Sequence, residues 1–324
     1  MRRLVVTGAS GFLGQAVLRA AEAEGADVTA TSRSGANPLD LAGPNAGERF
    51  AALLSGPPAT VIHLAGLMSG TDEEHAAGTV GPTRAVLDAL ADAARPDDGL
   101  PDLVLASSLS VYGYAALPDG ATLDETTPLE TRPEARDAYA RAKLAQEGLA
   151  LAAGQRRGVR VRVLRPGAIV GGDRAWTARI GVSAKGAALV LGGDAALPLV
   201  DVDDCARAFV LAAARPLGRA DATIAPDTGG HVEAINVIGS KQPTQGDYLA
   251  TLEDAPTSVR VPWRLLSKAA EAAGLAGELA PGVARRLPGL ARPETLAARA
   301  KPLRYGTARA EDRLGWTPSG GSVS

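Results

Sequence analysis

The chain contains 324 residues, of which 46 % are hydrophobic, 22 % charged and 3 % aromatic. This composition is typical of a globular protein with one large domain or two lobes and a core of Ala, Val and Leu. The formal net charge of −2 provides no basic surface, and apolar runs stay well short of the ~20 residues that cross a bilayer, so we expect neither a nucleic-acid nor a membrane partner.

The first predicted element is a short strand at residues 4–6, followed by the loop TGASGFLG and an amphipathic helix. Gly8, Gly11 and Gly14 have the spacing of a dinucleotide loop, where glycine permits a positive φ, a close approach to a pyrophosphate and tight packing of helix on strand. The helix N-terminus offers free N–H groups and the positive end of its dipole. We therefore predict dinucleotide binding here, with Phe12 and Leu13 as further contacts.

The second predicted strand, residues 28–31, ends in the sequence ATSRS without a carboxylate for the ribose 2′-OH of NAD. Arg33 is able to pair with the 2′-phosphate of NADP, and a solvated surface arginine is the alternative. We favour NADP(H) as the cofactor, with NAD(H) as the second choice. Further cofactor contacts are predicted after the second strand and at the end of the third strand (60–64), namely at Asp40, Leu41, Leu64, Ala65 and Gly66.

A predicted helix at 79–94 leads to a fourth strand at 103–106, which ends in ASSLSVYG. Ser107 and Ser108 stand at the carboxyl end of this strand, where ligands bind in open α/β sheets. A hydroxyl that caps the loop is the alternative for either serine alone. Next to the glycine loop, Ser108 is the candidate to hold a substrate oxygen.

The next predicted helix, residues 137–153, contains the sequence YARAK. Tyr139 and Lys143 are four residues apart and share one helix face. A phenol has a pKa near ~10, and a nearby ammonium can lower it by ~1–3 units, which would make Tyr139 a proton donor or acceptor at neutral pH. The same lysine can bond the nicotinamide ribose. An ordinary helix face is the alternative interpretation.

The second half of the chain has shorter predicted elements: strands at 159–164, 198–202 and 234–238, and helices at 205–214, 261–273 and 293–300. Strands that alternate with helices predict a doubly wound parallel sheet, an α/β Rossmann fold. We assign 1–165, with about 198–240, to a dinucleotide-binding domain. About 166–197 and 241–316 are assigned to a smaller C-terminal substrate-binding lobe, and 317–324 to a flexible tail.

Cysteine and histidine usage points away from disulfides and metals. Cys205 is the single cysteine, which excludes an intrachain disulfide and fits a reducing compartment. His63, His75 and His231 are scattered, so we predict no metal site. The apolar run at the N-terminus breaks at Gly8, too early for a signal peptide, and we expect a cytoplasmic protein.

Five segments in this order and spacing, TGASGFLG, ASSLSVYG, YARAK, LRPGAIVG and LVDVDDCARA, resemble the extended short-chain dehydrogenase/reductase family, which includes the NAD(P)-dependent epimerase/dehydratases. The resemblance covers roughly residues 1–240, and RLGWTP near the end also fits. It implies Tyr139 as the catalytic acid/base, Lys143 as its partner and Ser108 as the active-site hydroxyl. It also implies cofactor contacts at Ser107 and Pro166, and a homodimer formed by the helices near 79–94 and 137–153.

Three positions modify this expectation. Gly78 stands where family members often carry Asn, and Ala168 stands where nucleotide-sugar epimerases place an Asn near the substrate pyrophosphate. Glu147 matches a frequent family carboxylate, and we expect it to form a surface ion pair with Lys143, one helical turn before it.

The expected activity is that of an NAD(P)-dependent oxidoreductase, a carbonyl reductase or secondary-alcohol dehydrogenase acting on a small carbonyl or alcohol substrate. A nucleotide-sugar epimerase or dehydratase with tightly bound NAD is the alternative, and an idle NAD(P)-binding regulator is less favoured. Apolar residues of the lobe are candidates to line a pocket, with ordinary packing of the lobe as the alternative, namely Trp176, Ile180, Leu189, Val190 and Leu191. Three basic residues keep an anionic substrate open, namely Arg174, Arg179 and Lys185.

Overall fold

A computed structural model of the chain describes residues 3–34, 37–93, 97–172, 174–177, 179–180, 182–184, 187–192, 195–217, 231–252, 257–279 and 292–319. Its strands are β1 (Arg3–Thr7), β2 (Val28–Thr31), β3 (Ala59–His63), β4 (Leu103–Ala106), β5 (Thr122–Leu123), β6 (Val161–Pro166), β7 (Ala168–Val170), β8 (Val182–Ala184), β9 (Ala187–Gly192), β10 (Leu199–Asp201), β11 (Val232–Val237), β12 (Thr257–Pro262) and β13 (Arg304–Tyr305). Its α-helices are α1 (Phe12–Ala23), α2 (Ala46–Leu53), α3 (Asp72–His75), α4 (Gly81–Asp92), α5 (Ala138–Arg157), α6 (Val202–Ala214), α7 (Gln245–Leu249), α8 (Trp263–Leu279), α9 (Pro293–Ala300) and α10 (Ala308–Leu314).

Six strands form the central sheet in the order β11-β6-β4-β3-β1-β2, and each neighbouring pair is parallel. The chain moves outward from β1 to β2 and then returns to the other side of β1 with β3. This reversal creates a switch point beside β1, where open α/β sheets bind ligands beyond the carboxyl ends of their strands. The predicted Rossmann architecture is confirmed, and the loops after β1, β3 and β4 meet at one edge.

Helices cover both faces of the parallel sheet and so bury its strands on both sides. On one face α1, α6 and α10 pack over Val6, Ile62 and Ile235 in a first core. On the other face α2, α4 and α5 pack over Val5 and Val61 in a second core. The alternation of β1 residues between the two cores follows from the period of two along a strand.

The C-terminal segment packs against the central sheet, which differs from the predicted assignment of 241–316 to the lobe. α10 and Trp316 belong to the first core, and the Trp316 indole donates to the Asp204 carbonyl oxygen at 2.9 Å. The predicted flexible tail begins at residue 317, and Ser319 within it contacts the central domain. Ser319 donates through its main chain and hydroxyl to the Asp204 carboxylate at 2.9–3.0 Å.

The smaller lobe contains the short pair β7–β10, the sheet β12-β9-β8 and the helices α8 and α9. Val170, Ile180 and Val190 form part of its buried centre with Tyr248. The lobe follows β6 directly, so it lies beside the carboxyl edge of the central sheet. No helix among the described residues has the length and apolar character needed to cross a membrane.

Candidate active site

The loop after β1 has the shape of a phosphate cradle. Gly8 adopts a φ of +70°, and a Cβ on it would lie 2.7 Å from the Ala65 nitrogen. A Cβ on Gly14 would overlap the Gly8 carbonyl oxygen. The Gly11 N–H donates to that same oxygen at 3.0 Å, and Gly11 caps α1 without a side chain. The predicted helix therefore begins at Phe12, and its open N-terminus fits a dinucleotide pyrophosphate.

Four other predicted cofactor residues lie at or just after the carboxyl ends of β3 and β6. Leu64 continues β3 by donating from its main chain to the Thr7 carbonyl oxygen at 3.2 Å. Ala65 faces Gly8, as described above. Gly66 lies close to the candidate lysine, since a Cβ there would be 3.8 Å from Lys143 Nζ. Pro166 ends β6 and is buried. The loop after β3 thus approaches both the phosphate cradle and the lysine.

Arg33 follows β2 and is exposed. Within the described part of the chain its guanidinium makes no ion pair, so it is available for an anion. Asp40 is exposed too, and its carboxylate accepts from the Ala42 N–H at 3.0 Å. Leu41 is buried in the second core, which leaves its main chain for any contact with adenine.

Ser108, Tyr139 and Lys143 are brought together at the same sheet edge. Tyr139 lies in the first turn of α5, which Asp137 caps by accepting from the Ala140 N–H at 2.9 Å. The Ser108 hydroxyl lies close enough to the Tyr139 phenol to lower its pKa. Lys143 Nζ is 5.8 Å from the centre of the Tyr139 ring. The triad suggested by the sequence is therefore a spatial cluster.

Burial dominates the protonation of this cluster. It raises the pKa of Tyr139, against the smaller lowering effects of the nearby Ser108 hydroxyl and the Arg179 charge. Burial also lowers the pKa of Lys143 to about 8, although the Glu147 charge opposes that shift. The sequence predicts a lowered pKa for this phenol, whereas burial raises it. The Lys143 ammonium donates to the Ala106 carbonyl oxygen at 2.8 Å and to Gln146 Oε1 at 2.9 Å. The phenol is accordingly neutral at physiological pH.

Glu147 is buried and does not form the predicted surface pair. Its carboxylate receives Arg165 Nε at 2.9 Å and Nη2 at 2.6 Å, a bidentate pair inside the protein. The Ser107 hydroxyl also donates to it, at 2.5 Å, so this predicted cofactor residue is occupied within the protein through its side chain. Arg165 in β6 competes successfully for the carboxylate because its planar fork matches both oxygens.

The same arginine extends the network beneath the site. Arg165 Nη1 donates to the Tyr112 hydroxyl at 2.8 Å, and that hydroxyl donates to Asn236 Oδ1 at 2.8 Å. The Asn236 N–H donates to Glu125 at 2.7 Å. Sequence reasoning did not identify this network. Its signal was a charged residue within the apolar strand LRP, since a buried arginine requires a partner.

The two positions that depart from the family pattern have local explanations. A side chain at Gly78 would meet Leu67, because a Cβ on Gly78 would lie 2.9 Å from Leu67 Cδ1. Thr79 next to it accepts from the Leu67 N–H at 2.9 Å. Ala168 lies in β7 and donates from its main chain to the Pro198 carbonyl oxygen at 2.8 Å. Neither position offers a side-chain amide.

On the lobe side, Arg179 faces the cluster. Its Nη2 donates to the Tyr114 hydroxyl at 2.7 Å, and the Tyr305 phenol lies close enough to interact with its charge. No carboxylate pairs with it among the described residues. The Gln245 side chain fixes its main chain by donating to the Arg179 carbonyl oxygen at 2.7 Å. The site therefore has a partly buried cation near Tyr139.

The remaining lobe predictions divide. Ile180 and Val190 are buried in the lobe and Trp176 packs against them, which is the ordinary packing alternative. Leu191 packs against the small cluster of Leu296 and Ala300. The Arg174 guanidinium lies 4.6 Å from the centre of the Phe12 ring, beside the phosphate cradle. Lys185 and the side chain of Leu189 lie outside the described residues.

No group of three or more His, Cys, Asp and Glu side chains suited to a metal ion occurs in the described ranges. Cys205 is buried in the first core, and burial raises the pKa of its thiol.

Comparison with solved structures shows the same fold over the whole chain. MoeE5 in complex with UDP-glucuronic acid and NAD is 20 % identical, with a TM-score of 0.67 and coverage of 99 % of this chain and 95 % of that one. UDP-glucose 4-epimerase from Brucella ovis in complex with NAD is 16 % identical, with a TM-score of 0.66 and coverage of 100 % and 95 %. A Tyr→Phe variant of UDP-glucuronic acid 4-epimerase from Bacillus cereus is 17 % identical, with a TM-score of 0.65 and coverage of 99 % and 95 %.

No curated protein gives a significant match to the sequence. The sequence profile of the NAD dependent epimerase/dehydratase family does match, over residues 4–224. That range contains the glycine cradle, the serine after β4 and the tyrosine–lysine pair of α5. The chain therefore belongs to the NAD dependent epimerase/dehydratase family.

Proposed function

We propose that the protein is an NAD(P)-dependent epimerase or dehydratase that acts on a secondary-alcohol carbon of a nucleotide sugar. The observation that carries the proposal is the cluster of Ser108, Tyr139 and Lys143 beside the glycine cradle. Family membership and the fold shared with sugar-nucleotide epimerases support it. This alternative now ranks above the carbonyl reductase favoured by the sequence.

Each residue of the cluster has a distinct task in the proposed reaction. The bound nicotinamide supplies a hydride acceptor and donor. Ser108 holds the substrate oxygen by a hydrogen bond, and Tyr139 accepts the hydroxyl proton as the alcohol becomes a ketone and returns it when the ketone is reduced again. Lys143 supplies positive charge and a ribose contact. Hydride and proton both return to the substrate in an epimerisation, so no net oxidant is consumed.

Tyr139 needs help to act as the base, because burial raises its pKa. Two positive charges are placed to provide that help. Arg179 already lowers the pKa of the phenol, and the Lys143 ammonium stands 5.8 Å from the ring. The positive charge of an oxidised nicotinamide acts in the same direction. In the proposed reaction the phenol would act as a base once these positive charges offset the effect of burial.

An anionic substrate is favoured by Arg179. A partly buried cation that no described carboxylate neutralises is costly, and a substrate phosphate or carboxylate would pair with it. This contact also offers a substitute for the Asn that Ala168 replaces. A nucleotide sugar carries such phosphates.

A carbonyl reductase that uses NADP(H) is the second candidate, on the observation that Arg33 is exposed and unpaired in the described structure at the end of β2. An arginine there suits a 2′-phosphate. A reductase would consume reduced cofactor in every turnover, whereas an epimerase would not, and this difference separates the two candidates.

The test incubates the purified protein with catalytic NAD⁺ or NADP⁺ and a panel of nucleotide sugars, among them UDP-glucose and UDP-glucuronic acid. NMR of the sugar signals reports epimer or dehydrated product. We expect conversion of at least one sugar nucleotide without net change at 340 nm, the absorbance band of reduced nicotinamide. Stoichiometric oxidation of NADPH by simple ketones, with no conversion of any sugar nucleotide, would instead establish the carbonyl reductase.

A further inference from the structure

A chain of buried polar side chains runs from β1 to the candidate lysine. Thr7 Oγ1 lies 2.7 Å from His63 Nδ1, and His63 Nε2 lies 3.1 Å from Thr83 Oγ1. Gln146 Nε2 donates to Thr83 Oγ1 at 2.5 Å, and Lys143 Nζ donates to Gln146 Oε1 at 2.9 Å. All five side chains are buried. The chain therefore links the strand before the phosphate cradle to the ammonium group.

The direction of each hydrogen bond follows from the number of hydrogens available. The Thr83 hydroxyl gives its single hydrogen to the Thr79 carbonyl oxygen at 2.9 Å, so it only accepts from its other partners. His63 must then donate through Nε2 and accept the Thr7 hydroxyl at Nδ1. Gln146 must likewise turn its NH₂ group to Thr83. Its carbonyl oxygen is left to face Lys143.

His63 is a neutral member of this series of hydrogen bonds. Burial lowers the pKa of His63 to about 3, and the Lys143 charge adds to that effect. A neutral imidazole has one donor and one acceptor, which is what its two hydrogen bonds require. The orientation of the Gln146 amide is consequently fixed at neutral pH by groups that do not titrate there.

The ammonium needs this support because other nearby groups are already engaged. Glu147 raises the pKa of Lys143 electrostatically, but its two oxygens are bound by Arg165 and Ser107. His75 and Tyr139 also lie near the ammonium. Neither carries a negative charge at neutral pH. Gly78 has no side chain to contribute.

We propose that Gln146 is a positioning residue that holds the Lys143 ammonium between its side-chain oxygen and the Ala106 carbonyl oxygen. The two acceptors, at 2.9 and 2.8 Å, direct the charge to the carboxyl edge of β4, where Ser108 follows. The inference rests on the proposed function for the use of Lys143 in catalysis. It stands alone as a statement about how the lysine is held.

The first test measures the titration of Lys143 in the cofactor-free protein. The chain has five lysines, so lysine labelled with ¹³C at Cε gives few signals, and Lys143→Met identifies the relevant one. Gln146→Met removes the acceptor at nearly constant volume, and we expect the pKa of Lys143 to fall by about one to two pH units. Gln146→Glu places a carboxylate at the same atom, and we expect the pKa of Lys143 to rise above the wild-type value.

Thr83→Ser is the matched control, because it removes a methyl group from the same pocket and keeps the hydroxyl. We expect it to leave the Lys143 titration unchanged. The proposal is overturned if both Gln146 variants titrate like the wild type, if they shift in the same direction, or if Thr83→Ser shifts as Gln146→Met does. If Gln146→Met does not fold, the upward shift in Gln146→Glu decides.

A second readout connects the residue to the cofactor. We expect Gln146→Met to weaken NAD(H) or NADP(H) binding roughly tenfold by fluorescence titration at neutral pH, while Thr83→Ser binds like the wild type. If the Lys143 pKa shifts as expected in the Gln146 variants but the wild type turns over no sugar nucleotide, only the proposed function is contradicted. Turnover with unshifted lysine titration in the Gln146 variants would contradict this inference alone.

Discussion

Burial shifts the pKa values of Tyr139 and Lys143 in opposite directions. Removal from water favours the neutral form of each group, so the pKa of the phenol rises and that of the amine falls to about 8. At neutral pH the amine is still protonated and the phenol still carries its hydrogen. At neutral pH the pair therefore consists of a charged lysine beside a neutral tyrosine. Additional positive charge nearby would lower the pKa of the phenol and favour its phenolate form.

Tyr139→Phe isolates the hydroxyl. The helix and the aromatic ring remain, and so does the edge-to-face arrangement with His75, in which the ring centres are 6.2 Å apart. Loss of a general acid/base costs about 10²–10⁴-fold in rate, so we expect turnover to fall by that factor while cofactor affinity and melting temperature barely change. Retention of most activity on an identified substrate would show that another group moves the proton.

Lys143→Met tests both the function of the ammonium and the cost of burying its charge. We expect turnover and cofactor binding to fall, since the ammonium serves both. Because the pKa of Lys143 is lower in the folded protein than in the unfolded chain, the charged lysine reduces stability below about pH 8, and this cost disappears as the pH rises toward the unfolded value. The quantity to compare is the unfolding free energy of the variant minus that of the wild type. We expect this difference to be more favourable to the variant at pH 7 than at pH 10, by up to about 3 kcal/mol.

The measurement is urea denaturation of both proteins at the two pH values. Lost hydrogen bonds to Ala106 and Gln146 lower the variant's stability at both, so the difference between pH values is the informative quantity. An equal stability difference at both would mean that Lys143 titrates normally.

Arg33→Ala addresses the cofactor. Arg33 follows β2 and forms no ion pair with the described residues, which suits a 2′-phosphate, and a hydrogen bond to a charged group contributes about 1.5–3 kcal/mol. We expect NADP(H) affinity to fall by about tenfold to a hundredfold and NAD(H) affinity to change little. Isothermal titration with both cofactors checks this. Tighter binding of NAD(H) by the wild type would assign Arg33 to the solvated surface.

At the scale of elements, local patterns predicted what local geometry determines. β2, β4 and α9 lie at or very near their predicted bounds because apolar runs, glycines and prolines mark them. Ser108, Tyr139 and Lys143 were found because each follows a strand or shares a helix face. Partners across elements were not predictable in this way. Glu147 was paired with its helix neighbour, whereas the fold brings Arg165 of β6 to its carboxylate.

That buried pair yields a prediction about α5 and β6. Glu147→Gln leaves the Arg165 charge without a counter-ion inside the protein, and breaking a buried pair costs about 3–5 kcal/mol of unfolding free energy. Arg19→Gln is the matched control, since its pair with Asp203 joins side chains that are 61 % and 70 % exposed. We expect it to cost no more than ~1 kcal/mol. Chemical denaturation compares the two, and equal losses would contradict the interpretation.

At the scale of the whole molecule, the C-terminus returns to the dinucleotide-binding face. Trp316 and α10 close the first core, and Ser319 is held by Asp204 near the start of α6. The sequence did not reveal this return, because RLGWTP gives no sign of which face its tryptophan covers. The central domain is thus built from both ends of the chain, with the lobe inserted between them.

The predicted homodimer belongs to this scale. We propose that α4 and α5 of two copies form its contact, as family resemblance suggests. The outward face of α5 carries Ala145 and Gly148, both exposed, and a Cβ on Gly148 would meet no atom of its own chain within 4 Å. Small residues of this kind let helices approach closely. A large side chain at Gly148 would then fit in the monomer but clash with the second copy in the dimer.

Gly148→Arg should therefore convert the dimer to a monomer without unfolding it. Gly47→Arg is the matched control, because Gly47 also lies in a helix, α2, and a Cβ on it would likewise meet no atom within 4 Å. Light scattering at micromolar concentration gives the mass, and circular dichroism checks the fold. We expect a dimer for wild type and Gly47→Arg and a monomer for Gly148→Arg. A dimeric Gly148→Arg would move the contact to another face, and a monomeric wild type would remove the dimer altogether.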